Sequence, residues 1–160
     1  MYYGTRGLSV LPPQSLGIGI RVNNDTTSTN SNPLEKPSAR TILVVEDNPL
    51  NMKLFADLLS TQGYNVLQAL TGQAGLTMAQ EHHPDLIVMD VQLPGNLSGL
   101  DVTRSLKGDD RYKSIPVIAV TAFAMKGDES KVVDAGCDGY ITKPISIARF
   151  LASITEFLPQ

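Results

Sequence analysis

The sequence predicts an α/β protein, a doubly wound, five-stranded parallel sheet with helices on both faces. Three observations lead there. Continuous apolar runs at Ile42 to Val45, Leu86 to Met89 and Ile115 to Val120 read as strands buried on both faces, as in parallel sheets. Stretches of helical periodicity alternate with them, and glycine, proline or asparagine marks most junctions. The strands also finish on polar or charged residues, and in an open α/β sheet those carboxyl ends gather at one ligand-binding edge.

The elements follow in order. After Ile42–Val45, Asn48 offers an N-cap and Pro49 suits the first helical position. Met52, Phe55 and Leu59 then recur at helical spacing until Gly63 stops the helix. Tyr64 to Ala69 reads as a second strand and Gly72 to His82 as a second helix. Leu86–Met89, Ile115–Val120 and Gly139–Thr142 supply the remaining strands, with helices at about Leu100–Lys107, Lys126–Ala135 and Ser146–Phe157. Right-handed crossovers restrict such a βα series to a few doubly wound orders.

Residues 1–38 have a different texture. The polar, low-complexity run Asn23 to Pro33 has nothing to bury, so an unstructured N-terminal extension is expected, with the folded domain over 40–158. After Phe157 only Leu158, Pro159 and Gln160 remain, so no attached output domain is expected. The net charge of −3, with scattered basic residues, gives no footprint for nucleic acid. The single cysteine, Cys137, cannot form an internal disulfide, and no apolar run approaches a membrane span. A cytoplasmic protein without membrane insertion is the expectation.

The chemistry lies in what converges. Glu46 and Asp47 follow the first strand, Asp90 the third, Thr121 the fourth, and Lys143 stands after the fifth, before Pro144. Taken singly, each residue has an ordinary reading: solvated acids, a strand-end threonine, a surface lysine. Together, three carboxylates in one crevice raise each other's pKa unless a cation neutralises them. Mg²⁺, held by one or two carboxylates with phosphate oxygens completing its shell, is the natural solution. Asp90 is then the candidate nucleophile toward a phosphoryl group, with Lys143 offsetting charge on the transferred oxygens and the Thr121 hydroxyl donating to one of them. Lys143-Pro144 can adopt the cis form, which would aim the lysine inward.

The segments Ile42-Leu43-Val44-Val45-Glu46-Asp47-Asn48, Asp90-Val91-Gln92-Leu93-Pro94, Val120-Thr121-Ala122 and Lys143-Pro144 resemble the receiver domain of two-component response regulators, the CheY-like, flavodoxin-like fold. Asn48 to Phe55 and Thr121 to Glu129 look closer still to the single-domain cell-cycle regulators of that family. The resemblance implies Asp90 as phosphoacceptor and Mg²⁺ held by Glu46, Asp47, Asp90 and the Gln92 backbone carbonyl. It implies Thr121 and Tyr140 as a switch pair and Lys143 as the lysine that contacts the phosphate. Phosphorylation would draw Thr121 inward, let Tyr140 follow, and reshape the face of the fourth helix, fifth strand and fifth helix. Met125, Lys126 and Asp128 are exposed candidates on that face, with Phe123 and Ala124 beside them. The implied partners are a histidine kinase or histidine phosphotransfer protein and a downstream target protein, in cell-cycle or polarity control.

One departure stands out: Gly99 comes one residue later after Asp90 than the family's usual spacing, so Gly95-Asn96-Leu97-Ser98 carries an insertion beside the site. Other readings are weaker. A haloacid-dehalogenase-type phosphatase needs a second aspartate two positions after its nucleophile, where this chain has Gln92. A receiver acting only as an unphosphorylated interaction module is the other alternative. Tyr140 by itself reads as an aromatic filling core from a central strand. His82 and His83 read as surface residues complementing a helix dipole, and Cys137 as a packed thiol.

Overall fold

The structure, a computed structural model, describes residues 39–122 and 128–159. The expected extension over 1–38 and the face residues Phe123, Ala124, Met125 and Lys126 lie outside the described residues, as does the side chain of Asp128. Five strands, β1 (Thr41–Val45), β2 (Asn65–Ala69), β3 (Leu86–Asp90), β4 (Val117–Thr121) and β5 (Gly139–Thr142), pair in parallel in the order β2-β1-β3-β4-β5. They alternate with α1 (Pro49–Thr61), α2 (Gly72–His82), α3 (Gly99–Lys107), α4 (Asp128–Asp134) and α5 (Ile147–Phe157). The chain steps outward from β1 to β2 and then returns past β1 to β3, so the switch point lies between the β1 and β3 carboxyl ends.

Local chemistry explains most boundaries. The Asn48 side chain accepts from the Leu50 and Asn51 N–H groups at 2.9 and 3.2 Å, and Pro49 sits where its missing N–H costs nothing. Thr71 and Ser146 cap α2 and α5 in the same manner. β4 starts at Val117 rather than Ile115. Pro116 has no N–H for the ladder, and the Ile115 N–H is used in a turn to the Tyr112 carbonyl at 2.9 Å. At the end of α2, His83 takes the left-handed cap (φ 45°) and stacks on Tyr112, with 5.1 Å between ring centroids.

β1, β3 and β4 are buried almost throughout, which their uninterrupted apolar sequences require. On one face Phe55 of α1 and Phe150 of α5, both fully buried, stack at 4.8 Å over Ile42, Val88 and Ile118. Burying each such side chain contributes about 1.5–3 kcal/mol. On the other face Leu43, Ile87 and Met89 meet Ala79 of α2 and Val102 and Leu106 of α3. A smaller cluster, Val91, Leu100, Ala119, Val132 and Ala135, lies toward α4. β5 is an edge strand, so Tyr140 does not fill core as a central-strand aromatic would; it is 42% exposed.

Candidate functional site

Glu46, the residue after β1, is buried, while Asp47 and Asn48 beyond it are exposed. Glu46 extends the β1–β2 pairing through its N–H to the Ala69 carbonyl (3.0 Å), and its carboxylate is 1% exposed. Its Oε1 accepts the Asn48 N–H at 3.1 Å, so Asn48 both caps α1 and holds Glu46. Asp90, the last residue of β3, is nearly as buried. The Gln92 N–H donates to its Oδ1 at 2.9 Å and the Lys143 ammonium to its Oδ2 at 2.7 Å. Lys143 reaches across from beyond β5, where its own N–H donates to the Thr121 carbonyl at 2.8 Å and its bond to Pro144 is cis.

These groups form one electrostatic cluster. Lys143 Nζ also lies 3.3 Å from Glu46 Oε2, within ion-pair range, yet Glu46 Oε2 is a buried oxygen with no hydrogen bond among the described residues. Burial pushes the Glu46 carboxyl above its usual range; the Asn48 N–H opposes this, the Asp90 charge adds to it, and Lys143 and Asn51 offset part of it. Burial pulls the Lys143 ammonium the other way, but its hydrogen bond to Asp90 and the charges of Asp90 and Glu46 outweigh that and raise its pKa. Ligand atoms of Glu46, Asp47 and Asp90 lie within 4.8 Å of one another, with Asp47 exposed at the mouth. One ammonium therefore stands against Glu46 and Asp90, with Asp47 a third carboxylate beside them, and among the described residues one acidic oxygen is left without a donor. That donor set fits a hard divalent cation.

The back of the site is set by Gly99 at the start of α3. A Cβ there would stand 1.9 Å from the Asp90 carbonyl oxygen, so only glycine lets α3 begin this close to the β3 end. The segment expected to carry an extra residue, Gly95 to Ser98, lies just upstream. Gly95 adopts φ +98°, and Ser98 and Asp101 close a reciprocal capping box that fixes the first turn of α3. The Gly99 N–H still donates to the Val91 carbonyl at 3.2 Å.

Of the residues singled out from sequence, Glu46, Asp47, Asp90 and Lys143 come together. Thr121, 2% exposed, ends β4 at the same edge. Gln92 contributes its backbone N–H while its side chain is exposed. Tyr140 stands apart, its hydroxyl donating to Glu129 Oε1 of α4 at 2.6 Å. Cys137 is part-buried, with its thiol raised by burial, and sits 3.9 Å from the Thr103 hydroxyl. Sequence reasoning missed the second role of Asn48, the close approach at Gly99, and Glu129. The spacing of Gly99 was a signal for the second; a long-range side-chain pair such as Tyr140–Glu129 leaves none.

A five-stranded parallel sheet with this acidic pocket and lysine at its carboxyl edge is the architecture of receiver domains. The profile of the response regulator receiver domain matches residues 42–155, and the chain belongs to that family, one of signalling proteins rather than conventional enzymes. Within it, the chain is 54% identical over 119 residues to the polar-differentiation response regulator DivK of Brucella ovis, covering 74% of this chain and 96% of the relative. The DivK of Brucella anthropi matches to the same extent. Among solved structures, the receiver domain of sensor histidine kinase PA1611 from Pseudomonas aeruginosa PAO1 superposes with a TM-score of 0.70 at 31% identity, covering 77% of this chain and all of that one. That structure has a magnesium ion coordinated in its active site cleft. A CheY-like receiver from Methanospirillum hungatei gives 0.69 at 27% identity, covering 76% and 94%. No helix among the described residues is long and apolar enough to cross a membrane.

Proposed function

We propose that this chain is a phosphorylatable DivK-like response regulator that accepts a phosphoryl group on Asp90 and signals through protein contacts. The observation that carries the reading is the buried Asp90 carboxylate held between the Gln92 N–H and the Lys143 ammonium, within ligand distance of Glu46 and Asp47. An Asp90 oxygen attacks phosphorus as the bond to the donor breaks; the leaving group is an imidazole from phosphohistidine or acetate from acetyl phosphate. Lys143 balances charge on the transferred oxygens, and the Thr121 hydroxyl donates to one of them. Glu46, Asp47, Asp90 and the Gln92 backbone carbonyl are the proposed Mg²⁺ ligands; the bound ion supplies positive charge beside the phosphoryl oxygens.

Thr121 and Tyr140 are the proposed switch pair. A histidine kinase or histidine phosphotransfer protein is the donor, and a downstream target protein reads the face of α4, β5 and α5. The 54% identity to DivK supports polarity or cell-cycle control; the cytoplasm is the proposed location and 40–158 the proposed receiver. The test is Mg²⁺-dependent transfer of radiolabel from phosphorylated histidine kinases and phosphotransfer proteins of the host. Label that reaches the wild-type chain and is absent from Asp90→Asn supports the reading. Equal labelling of both, or labelling of neither by any donor, overturns it.

A further inference from the structure

Tyr140 is an aromatic residue on an edge strand, and its outward pose is anchored by a hydrogen bond to α4. Its hydroxyl meets Glu129 Oε1 of α4 at 2.6 Å, a charge-assisted hydrogen bond. In the sheet register Tyr140 sits beside Ala119, and Thr121 is two residues further along β4 toward Asp90. Side chains of alternate residues share a sheet face, so Tyr140, Ala119 and Thr121 face the same side. Ala119 is fully buried, and with Val132 and Ala135 it forms the small cluster beneath α4. Ala119, beside Tyr140 in register and two residues before Thr121, presents only a methyl group on that face. Tyr140 lines two surface grooves, one of about 440 Å³ against α5 and one of about 320 Å³ toward Val133 and Phe157. Moving it changes the lining of both.

We propose that Glu129 is the positioning residue for this switch: it latches Tyr140 outward, and its release sets how readily the phosphorylated arrangement forms. The inference rests on the proposed phosphorylation of Asp90 and names the regulation of that site. Among the described residues Glu129 is bonded to Tyr140 rather than to the reacting groups, and it acts through Tyr140. A ligand that prefers the inward arrangement binds in proportion to the fraction of molecules already able to adopt it. An exposed ionic hydrogen bond biases that fraction by about two- to fivefold. Any partner that offers Glu129 a better donor, such as an arginine or lysine, frees the tyrosine and thereby favours phosphorylation.

Fluorine NMR of protein grown with 3-fluorotyrosine tests this, with the Tyr140 resonance assigned by its loss in Tyr140→Phe. Mg²⁺ with beryllofluoride serves as an unreactive stand-in for the phosphoryl group. In Glu129→Ala without beryllofluoride, the resonance moves toward its position in the beryllofluoride-saturated wild type, and the apparent Kd for beryllofluoride falls about two- to fivefold. Glu129→Gln, which keeps a neutral acceptor, lies between. Asp134→Ala, removing an exposed acid elsewhere on α4, leaves both readouts unchanged. A Tyr140 resonance that stays fixed in Glu129→Ala overturns the latch, as does an equal response to Asp134→Ala. If wild type does not bind beryllofluoride, the Asp90 reading falls; the latch is then decided by the solvent exposure of the Tyr140 fluorine, which drops in Glu129→Ala if the ring is released inward and stays unchanged if it is not.

Discussion

Gly99→Ala is the substitution whose consequence follows most directly from the geometry. The added Cβ would stand 1.9 Å from the Asp90 carbonyl oxygen, 2.8 Å from its carbonyl carbon and 2.9 Å from Met89 Cγ. The two nearest obstacles are backbone, so no rotamer change relieves them. A carbon–oxygen contact is comfortable at about 3.3 Å, so the start of α3 and the end of β3 must separate by about 1.4 Å. Overpacking costs about 1–3 kcal/mol when the surroundings yield, and here they are a fully paired central strand; about 3 kcal/mol is expected. For about 120 ordered residues that lowers Tm by about 12 °C. The paired control is Gly95→Ala, where nothing lies within 4 Å and only the backbone at φ +98° is strained, at about 1 kcal/mol. Urea unfolding at constant m-value measures both. Because the displaced group is the backbone of Asp90 itself, phosphorylation of Gly99→Ala falls at least about tenfold, while Gly95→Ala labels normally. A Gly99→Ala protein that loses under 1 kcal/mol, or labels at the wild-type rate, refutes the close-approach argument.

Lys143→Ala removes the ammonium between Asp90 and Glu46 and raises the Glu46 pKa further. A carboxyl whose folded pKa is raised contributes stability below its unfolded pKa, and that stability is lost as pH rises through the folded value. Lys143→Ala in chelator is therefore expected to be weakest at neutral pH and to recover toward pH 4, and Mg²⁺ is expected to restore neutral stability; denaturation curves across pH check this. Ser98→Ala breaks the capping box and costs about 1 kcal/mol at pH 7. The Ser98 hydroxyl and N–H depress the Asp101 pKa, so their contribution is present above the unfolded pKa and fades as pH falls through the folded one. The difference between Ser98→Ala and wild type should accordingly shrink in acid, as measured by unfolding at pH 7 and pH 3.

Much of this molecule is written locally. β1 and β3 were legible because strands buried on both faces must be apolar throughout, and α1 because Asn48-Pro49 states where it begins. Parallel topology alone then brings Glu46, Asp47, Asp90 and Lys143 to one edge, so their convergence followed from strand assignment. Periodicity is silent on spatial order, which is why β5 emerged as an edge and Tyr140 as half-exposed rather than core. Ile115 looked like strand by composition, but the proline after it denies the ladder a donor. The bond from Tyr140 to Glu129 joins residues of different elements, and no local pattern encodes it.

Incubating the chain with acetyl phosphate and following intact mass, with and without Mg²⁺, interrogates the strand-end cluster without any partner protein. The expected result is a gain of one phosphoryl group in wild type, dependent on Mg²⁺, lost in Asp90→Asn and strongly slowed in Lys143→Ala. A chain that gains no phosphoryl group, or gains one that survives Asp90→Asn, contradicts the assignment of Asp90 as the phosphoacceptor.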